Sequence, residues 1–417
     1  MQASQAMNES STLVSSTQFD ALLDSYLQTS LRCSLSELRQ QTLLVPEEMR
    51  LRAWHLLSYA LRTGKAWQET REILTTLAPK MEQAGFREEW IAYLASGVEV
   101  GAQYNDTAAT AEFSLQIATL LRMLSEYDRA VQWLDSSLTA FRQEQDRHGE
   151  ARALNELAWI EQLRRRYDDA SQHVEQALAL LDDDDPERGM SYRVQGMIAI
   201  HRGESEKAEV YHHKAMTVFE KSGDLRKKAW SLVNVALAMR GQKKFKETTN
   251  TLTEALSILT QLKDDYHGLI AQVELGLTYF YCHEVDRAIN SYLKAESVAL
   301  QLNDRLRLAN IYTNLGLAYL AQCDYELASK SFQMSIDIFD ELQILSNVVN
   351  AMDGLAMSYI AQRQFAKAII VLEQALSMLP KIVDVPNYNY YYQSLTAHWQ
   401  QAKAEQDLSF VMRVDIV

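Results

Sequence analysis

Ala309-Asn310-Ile311-Tyr312-Thr313-Asn314-Leu315-Gly316-Leu317-Ala318-Tyr319-Leu320, followed by Tyr325-Glu326-Leu327-Ala328, Phe332 and Ser335, decides the fold. Three small residues punctuate this stretch: Gly316, Ala328 and Ser335. The same three columns recur along the chain. The middle column reads Ala130, Ala170, Ala208, Thr248, Ala288, Ala328, Ala368, with gaps of 40, 38, 40, 40, 40 and 40 residues. Twelve residues upstream stand Ala118, Ala158, Gly196, Ala236, Gly276, Gly316 and Ala356; seven downstream stand Ser137, Ala177, Ala215, Ala255, Ala295, Ser335 and Ala375. A fixed period of this length marks stacked units, each too small to bury its own apolar face.

The spacing predicts two helices and a short turn per unit. In the second helix, markers seven apart lie two turns apart on one face. Small side chains there let the neighbouring helix approach closely, and the first-helix marker meets them across the hairpin. Three residues before each middle marker stands Tyr127, Tyr167, Ser205, Phe245, Val285, Tyr325 or Phe365, mostly large residues that fill the turn. Polar or breaking residues come before it, as in Arg240-Gly241-Gln242-Lys243-Lys244 and Gln322-Cys323-Asp324.

The pattern N-L-G-x-x-Y, then Y-x-x-A, F and a small residue, which runs from Asn314 to Ser335, resembles the tetratricopeptide repeat. Leu275-Gly276 with Tyr279 and Leu355-Ala356 with Tyr359 repeat its core, and Ala375 and Pro380 supply its closing residues. Gln195, Thr248 and Val285 depart from the pattern without breaking its register. The resemblance covers residues 112–386. Its 40-residue spacing exceeds the commonest period of the family. The variant is similar to the arrays of kinesin light chains and cell-polarity adaptors. It is also similar to bacterial signal-transduction NTPase sensors and to peptide-pheromone receptors. The segment from Leu61 to Trp90 resembles the last group most, and no P-loop is present. The fold class implied is all-α: a right-handed α-solenoid of sixteen to eighteen helices in tetratricopeptide-type hairpins, with an N-terminal helical bundle and a C-terminal capping helix.

Composition agrees. Of 417 residues 47% are hydrophobic, while Gly (14) and Pro (5) are scarce, as long helices require. A net charge of −14 argues against unspecific nucleic-acid binding, which needs a basic surface. Three cysteines, Cys33, Cys282 and Cys323, make no disulfide framework. No apolar run reaches membrane-spanning length and no leader pattern opens the chain, so a cytoplasmic location is expected.

Residues 1–18 are expected to be a disordered tail, rich in Ser, Thr and Gln. Residues 19–111 are predicted to be helical but off the marker register. Pro46-Glu47-Glu48 starts one helix there, and Gly85 separates a pair over 66–84 and 87–103, with Pro79 expected to kink the first. Seven repeats fill residues 112–386. A capping helix and tail occupy 387–417, with Leu408 to Val417 expected to be extended, because Phe410, Met412, Val414 and Ile416 alternate at period two.

No catalytic, metal or cofactor site is predicted. His212-His213 and His201 lack a second pair of ligands in the sequence. Cys282 and His283 are adjacent and diverge on a helix. Asp182-Asp183-Asp184-Asp185-Pro186 lacks the glycine and glutamate of a calcium loop and is expected to be a solvated turn. No G-x-S-x-G, H-E-x-x-H or C-x-x-C occurs.

The resemblance implies that first helices line a concave groove. Counting from the markers, its candidate partner-binding residues are Asn155 and Trp159; Met197; Trp230, Asn234 and Leu237; Glu274, Leu277, Phe280 and Tyr281; Asn310, Asn314, Leu317 and Leu320; and Asp353 and Met357. An apolar stripe thus runs beside asparagines, whose amides offer a donor and an acceptor to a peptide backbone. No dense Lys/Arg clamp is present. The expected function is a scaffold or adaptor that holds a partner protein segment within a bacterial signalling, regulatory or defence complex. The alternative is a peptide- or ligand-sensing regulatory subunit that controls an effector enzyme. Neither nucleic acid nor membrane is expected as a partner.

Overall fold

In the computed structural model the described residues are 16–41, 45–383, 385 and 387–414. They form nineteen α-helices and one short 3-10 turn, with no strand among them. The fold is all-α, built of helical hairpins. The chain divides into two compact units, Met1–Val194 and Gln195–Val417. Unit 1 contains α1 (Ser16–Gln40), α2 (Glu47–Thr63), α3 (Trp67–Ala84), α4 (Arg87–Gln103), α5 (Thr107–Met123), α6 (Tyr127–Gln143), α7 (Arg147–Leu163), α8 (Tyr167–Leu180) and the start of α9 (Arg188–His201). Unit 2 contains the rest of α9, then α10 (Ser205–Ser222), α11 (Leu225–Gly241), α12 (Phe245–Gln261), α13 (Asp265–Tyr281), α14 (Val285–Gln301) and α15 (Arg305–Ala321). It continues with α16 (Tyr325–Glu341), α17 (Leu345–Ala361), α18 (Phe365–Met378), the 3-10 turn Leu379–Ile382 and α19 (Tyr388–Val414).

The 40-residue period resolves into two 20-residue steps, each a helix and a turn. A residue with positive φ ends each step, at positions 105, 125, 145 and 165, and again from 203 to 363 at every twentieth residue. At Cys323 the turn is held by Asp324 N donating to Tyr319 O (2.9 Å) and Cys323 N to Leu320 O (3.0 Å), a Schellman closure. Of these positions only Gly203 and Gly223 are glycine; Lys243, His283, Cys323 and Arg363 are among those that adopt the left-handed conformation with a side chain. Aspartates start the first helices. Asp106, Asp146, Asp224, Asp264 and Asp304 each accept from the backbone N–H three residues on. The single 38-residue gap has its own cause. Leu181 turns extended (φ −98°, ψ 138°), and the flanking helices α8 and α9 have 14 residues each. Asp185 then accepts from Glu187 N at 2.8 Å and pairs with His148 at 2.9 Å, so the acidic run is a structured turn rather than only a solvated one.

The marker columns are buried at the helix contacts. Their sizes are matched across each hairpin. Where the first marker is glycine, an aromatic ring of the second helix fills the place of its side chain. A Cβ on Gly196 would stand 2.3 Å from His212, one on Gly276 2.5 Å from Tyr292, and one on Gly316 2.8 Å from Phe332. Where the marker is Ala118, Ala158, Ala236 or Ala356, the same second-helix position holds Leu134, Val174, Leu252 or Leu372, all buried. His212 is therefore a packing residue, fully buried.

Several expectations need correction. Residues 1–15 of the expected disordered tail lie outside the described residues, but α1 already begins at Ser16. The buried stripe Leu27, Leu31, Leu35 and Leu38 anchors that helix, which then propagates back to Ser16. The stretch from Leu408, expected to be extended, continues α19 to Val414; residues 415–417 lie outside the described residues. No glycine or proline follows Asn387, so the helix has no stop signal, and a period-two pattern of four residues does not outweigh that. Nineteen helices exceed the expected sixteen to eighteen. The pair around Gly85 (φ 86°) is found as α3 and α4, and Pro79 lies inside α3 without ending it.

Candidate functional site

In unit 1 the first-helix face is tied together laterally. Arg152 donates to both oxygens of Glu112 at 2.7 and 3.1 Å, joining α7 to α5. Burial alone would raise the Glu112 carboxyl, yet the Arg152 guanidinium holds it below its usual value. Arg122 donates to Glu156, again from α5 to α7. The Trp159 ring lies 5.7 Å from the Arg122 guanidinium and 4.9 Å from that of Arg193. Asn155 is buried inside a local network. Its amide donates to Glu187 Oε1 (2.8 Å), and Ser191 Oγ donates to Asn155 Oδ1 (2.8 Å). Both amide groups are thereby engaged within the protein.

In unit 2 the face begins with a knot at the start of α13. Trp230 Nε1 (2.9 Å) and Arg226 Nε (2.7 Å) both donate to Asp264, and the His267 ring nitrogen lies 3.0 Å from it. Trp230 stacks on His267 with centroids 3.9 Å apart. Burial would raise Asp264, but His267 and Arg226 hold its carboxyl well below the usual range. Arg240 donates to Glu274 at 3.0 Å and lies 5.8 Å over Tyr281. Burial wins at Glu274, whose carboxyl is raised in spite of Arg240.

The remaining predicted residues of unit 2 are placed differently. Asn234 is 8% exposed, and its Nδ2 has no hydrogen-bond partner among the described residues. Asn314, Met197, Leu237, Leu277, Phe280 and Leu320 are half-buried. Asn310 is exposed and donates to Leu306 O in its own helix (2.9 Å). Tyr281, Leu317 and Met357 are exposed apolar groups. Leu237, Leu277, Leu317 and Met357 hold one position in α11, α13, α15 and α17, four first helices in lateral contact. Asp353 instead receives Ser394 Oγ and His398 Nδ1 from α19, both at 2.6 Å.

Register explains the contrast. Both Arg122 and Arg240 lie four residues after a first-helix marker, and their partners Glu156 and Glu274 lie two before the next. Where the first of these positions is apolar, as at Ile200, Phe280 and Leu320, the second holds Asn234, Asn314 or Gly354. Counting outward from the markers, one helix at a time, misses these ties. Their signal is a charged residue in both columns, 34 apart. No group of three or more His, Cys, Asp or Glu among the described residues is placed to hold a metal ion, and no described helix is long and apolar enough to cross a membrane.

A tetratricopeptide-repeat profile matches residues 106–183 and 269–341, and a second matches 349–381. No curated protein matches the chain in sequence. Among solved structures, the chain is similar to a Rap protein complexed with Competence and Sporulation Factor. The identity is 14% and the TM-score 0.54, over 81% of this chain and 99% of that one. It is similar to a Signal Transduction ATPase with Numerous Domains carrying a tetratricopeptide repeat sensor, from Pyrococcus horikoshii. Here the identity is 16% and the TM-score 0.58, over 95% of this chain and 66% of that one. Aspartyl phosphate phosphatase F from Bacillus subtilis matches at 14% identity and TM-score 0.50, over 88% and 95%. At these identities the likeness is one of fold.

Proposed function

We infer from the tetratricopeptide-repeat profiles matched at residues 106–183, 269–341 and 349–381 that the chain is a protein of that family, and propose that it is a cytoplasmic scaffold that holds a segment of a partner protein on the first-helix face of unit 2. One observation carries this reading. Leu237, Leu277, Leu317 and Met357 form one column across four adjacent helices, and beside it Asn234 keeps a buried donor without a partner among the described residues. A buried unsatisfied amide is costly, and Asn234, whose Nδ2 is itself covered, would be satisfied by a partner backbone carbonyl once its side chain turns outward. An extended or helical segment can bury apolar side chains on the column while its backbone meets Asn234 and Asn314. On this reading the complex it serves is a bacterial signalling, regulatory or defence complex.

A second reading keeps the same face but makes the ligand a small peptide and the chain a regulatory subunit of an effector. It is supported by the Rap structure, which this chain matches over nearly the whole of that protein and which is complexed with Competence and Sporulation Factor.

The test is titration of the partner recovered from the native cell against the wild type, Phe280→Ala and Leu317→Ala. Each variant is expected to weaken binding by about 1–3 kcal/mol, since a few buried anchors dominate such interfaces. Asn314→Ala is expected to cost about 1 kcal/mol through one lost hydrogen bond. Unchanged affinity in a double variant that circular dichroism shows to be folded would move the contact elsewhere on the protein. A recovered partner that is a short peptide favours the second reading.

A further inference from the structure

The helix α19 differs from every first helix that precedes it. It lies against α17, α18 and the 3-10 turn, where the first helix of a further repeat would lie. Yet it is thinly buried. Of its described side chains only Leu395 and Ala402 are fully buried, whereas the 17-residue α17 buries eight residues. Elements with few buried apolar contacts open at low free-energy cost. Its polar anchors are correspondingly concentrated. Ser394 Oγ and His398 Nδ1 converge on the two oxygens of Asp353, at 2.6 Å each, and Trp399 Nε1 donates to Glu373 Oε1 at 3.1 Å. Asp353 stands on the first-helix face of α17, in a column that is apolar at Val233 and Val273.

We propose that α19 is a displaceable cover over the α17 end of the first-helix face, latched on Asp353 by His398 and Ser394, and that protonation of His398 closes the latch. The charged groups around the imidazole are few. From α17 it meets Asp353. The α18 carboxylate at this contact, Glu373, is bonded to the neighbouring Trp399. The 3-10 turn presents buried Leu379 and Ile382, while its Lys381 is exposed. On α19 itself, Lys403 lies 4.1 Å over the Trp399 ring. The hydrogen bond to Asp353 raises the imidazole above its ordinary value, and partial burial opposes this more weakly. A raised folded value means that the latch is complete below about pH 6.5, the ordinary histidine value, and weakens as pH rises through the raised one. Neutral His398 can still donate to Asp353, but a charge-assisted bond is about twice as strong. Opening would uncover Asp353 and its neighbours on α17 to a partner. That use as a gate rests on the partner-binding reading above; the latch does not.

The experiment is hydrogen exchange of the full chain at pH 6 and pH 8, corrected for intrinsic exchange, with peptides from α19 and from α11 to α16. In the wild type α19 amides should be better protected at pH 6, by about tenfold for each pH unit by which the imidazole is raised. In His398→Gln and in Asp353→Asn the α19 protection should fall to one pH-independent level, while α11 to α16 keep theirs. Equal α19 protection at both pH values in the wild type would overturn the proposal. So would the wild-type pH dependence surviving in His398→Gln. No partner enters this measurement, so failure of the partner-binding reading leaves its outcome intact.

Discussion

The first-helix faces of the two units are built on the same columns and put to different use. In unit 1, Glu112 with Arg152, Arg122 with Glu156, and Asn155 with Ser191 bind neighbouring elements to each other. In unit 2 the ties Arg226 with Asp264, Arg240 with Glu274 and Asp353 with His398 leave gaps between them, and in those gaps lie Asn234 and Asn314 with the apolar column. A scaffold of this kind decides position by position whether a side chain satisfies a neighbour in the stack or remains available to a partner. Exposure alone does not show the difference. Asn155 and Asn234 are both buried asparagines, but only Asn155 has both amide groups engaged.

The sharpest way to break the comparison is to truncate one face residue in each unit, a tied one and an untied one. Glu156→Ala leaves Arg122 largely buried without its carboxylate and should cost about 3 kcal/mol, read as lost amide protection in α5 and α7. Asn314→Ala should change the stability of the free protein by less than about 0.5 kcal/mol. Equal losses would mean that the two faces are equally internal.

A smaller effect tests the core under the open face. Gly276→Ala forces a Cβ against Tyr292 and should destabilise α13 and α14 by about 1–3 kcal/mol. Adding Tyr292→Leu recreates the Ala236 and Leu252 pairing found one repeat earlier, so the double variant should recover part of that loss. Additive losses would show that the size match is incidental. The smallest effect concerns the turns. Arg363, at φ 59°, holds a conformation that glycine adopts without strain, so Arg363→Gly should raise the thermal midpoint slightly, by about 0.5–1 kcal/mol of stability. A lowered midpoint would place other contacts of Arg363 above backbone strain.

Most of the fold is legible in the sequence because burial imposes it at every repeat. Gly316, Ala328 and Ser335 must be small wherever helices cross, so the columns declare the hairpins. The pairing of Gly196 with His212 and of Gly276 with Tyr292 is also present in the sequence, readable by setting one column against another. The face is less legible, because position on a helix does not reveal a lateral partner. Counting from the markers singles out Asp353 and Trp230, but their bonds to His398 and Asp264 depend on how neighbouring helices meet. At the end of α19 the sequence misleads, because alternation over four residues carries less weight than the absence of a breaker.

The central claim is that the open face of unit 2 holds the partner while the tied face of unit 1 does not. It is tested most directly by a photo-crosslinking residue placed singly at Leu317, Met357, Trp159 and Lys330, and activated in the native cell. The account predicts one shared adduct from positions 317 and 357, absent from 159 and 330, and lost when Phe280→Ala is added. The same adduct from 159 or 330 with none from 317 and 357 would contradict it.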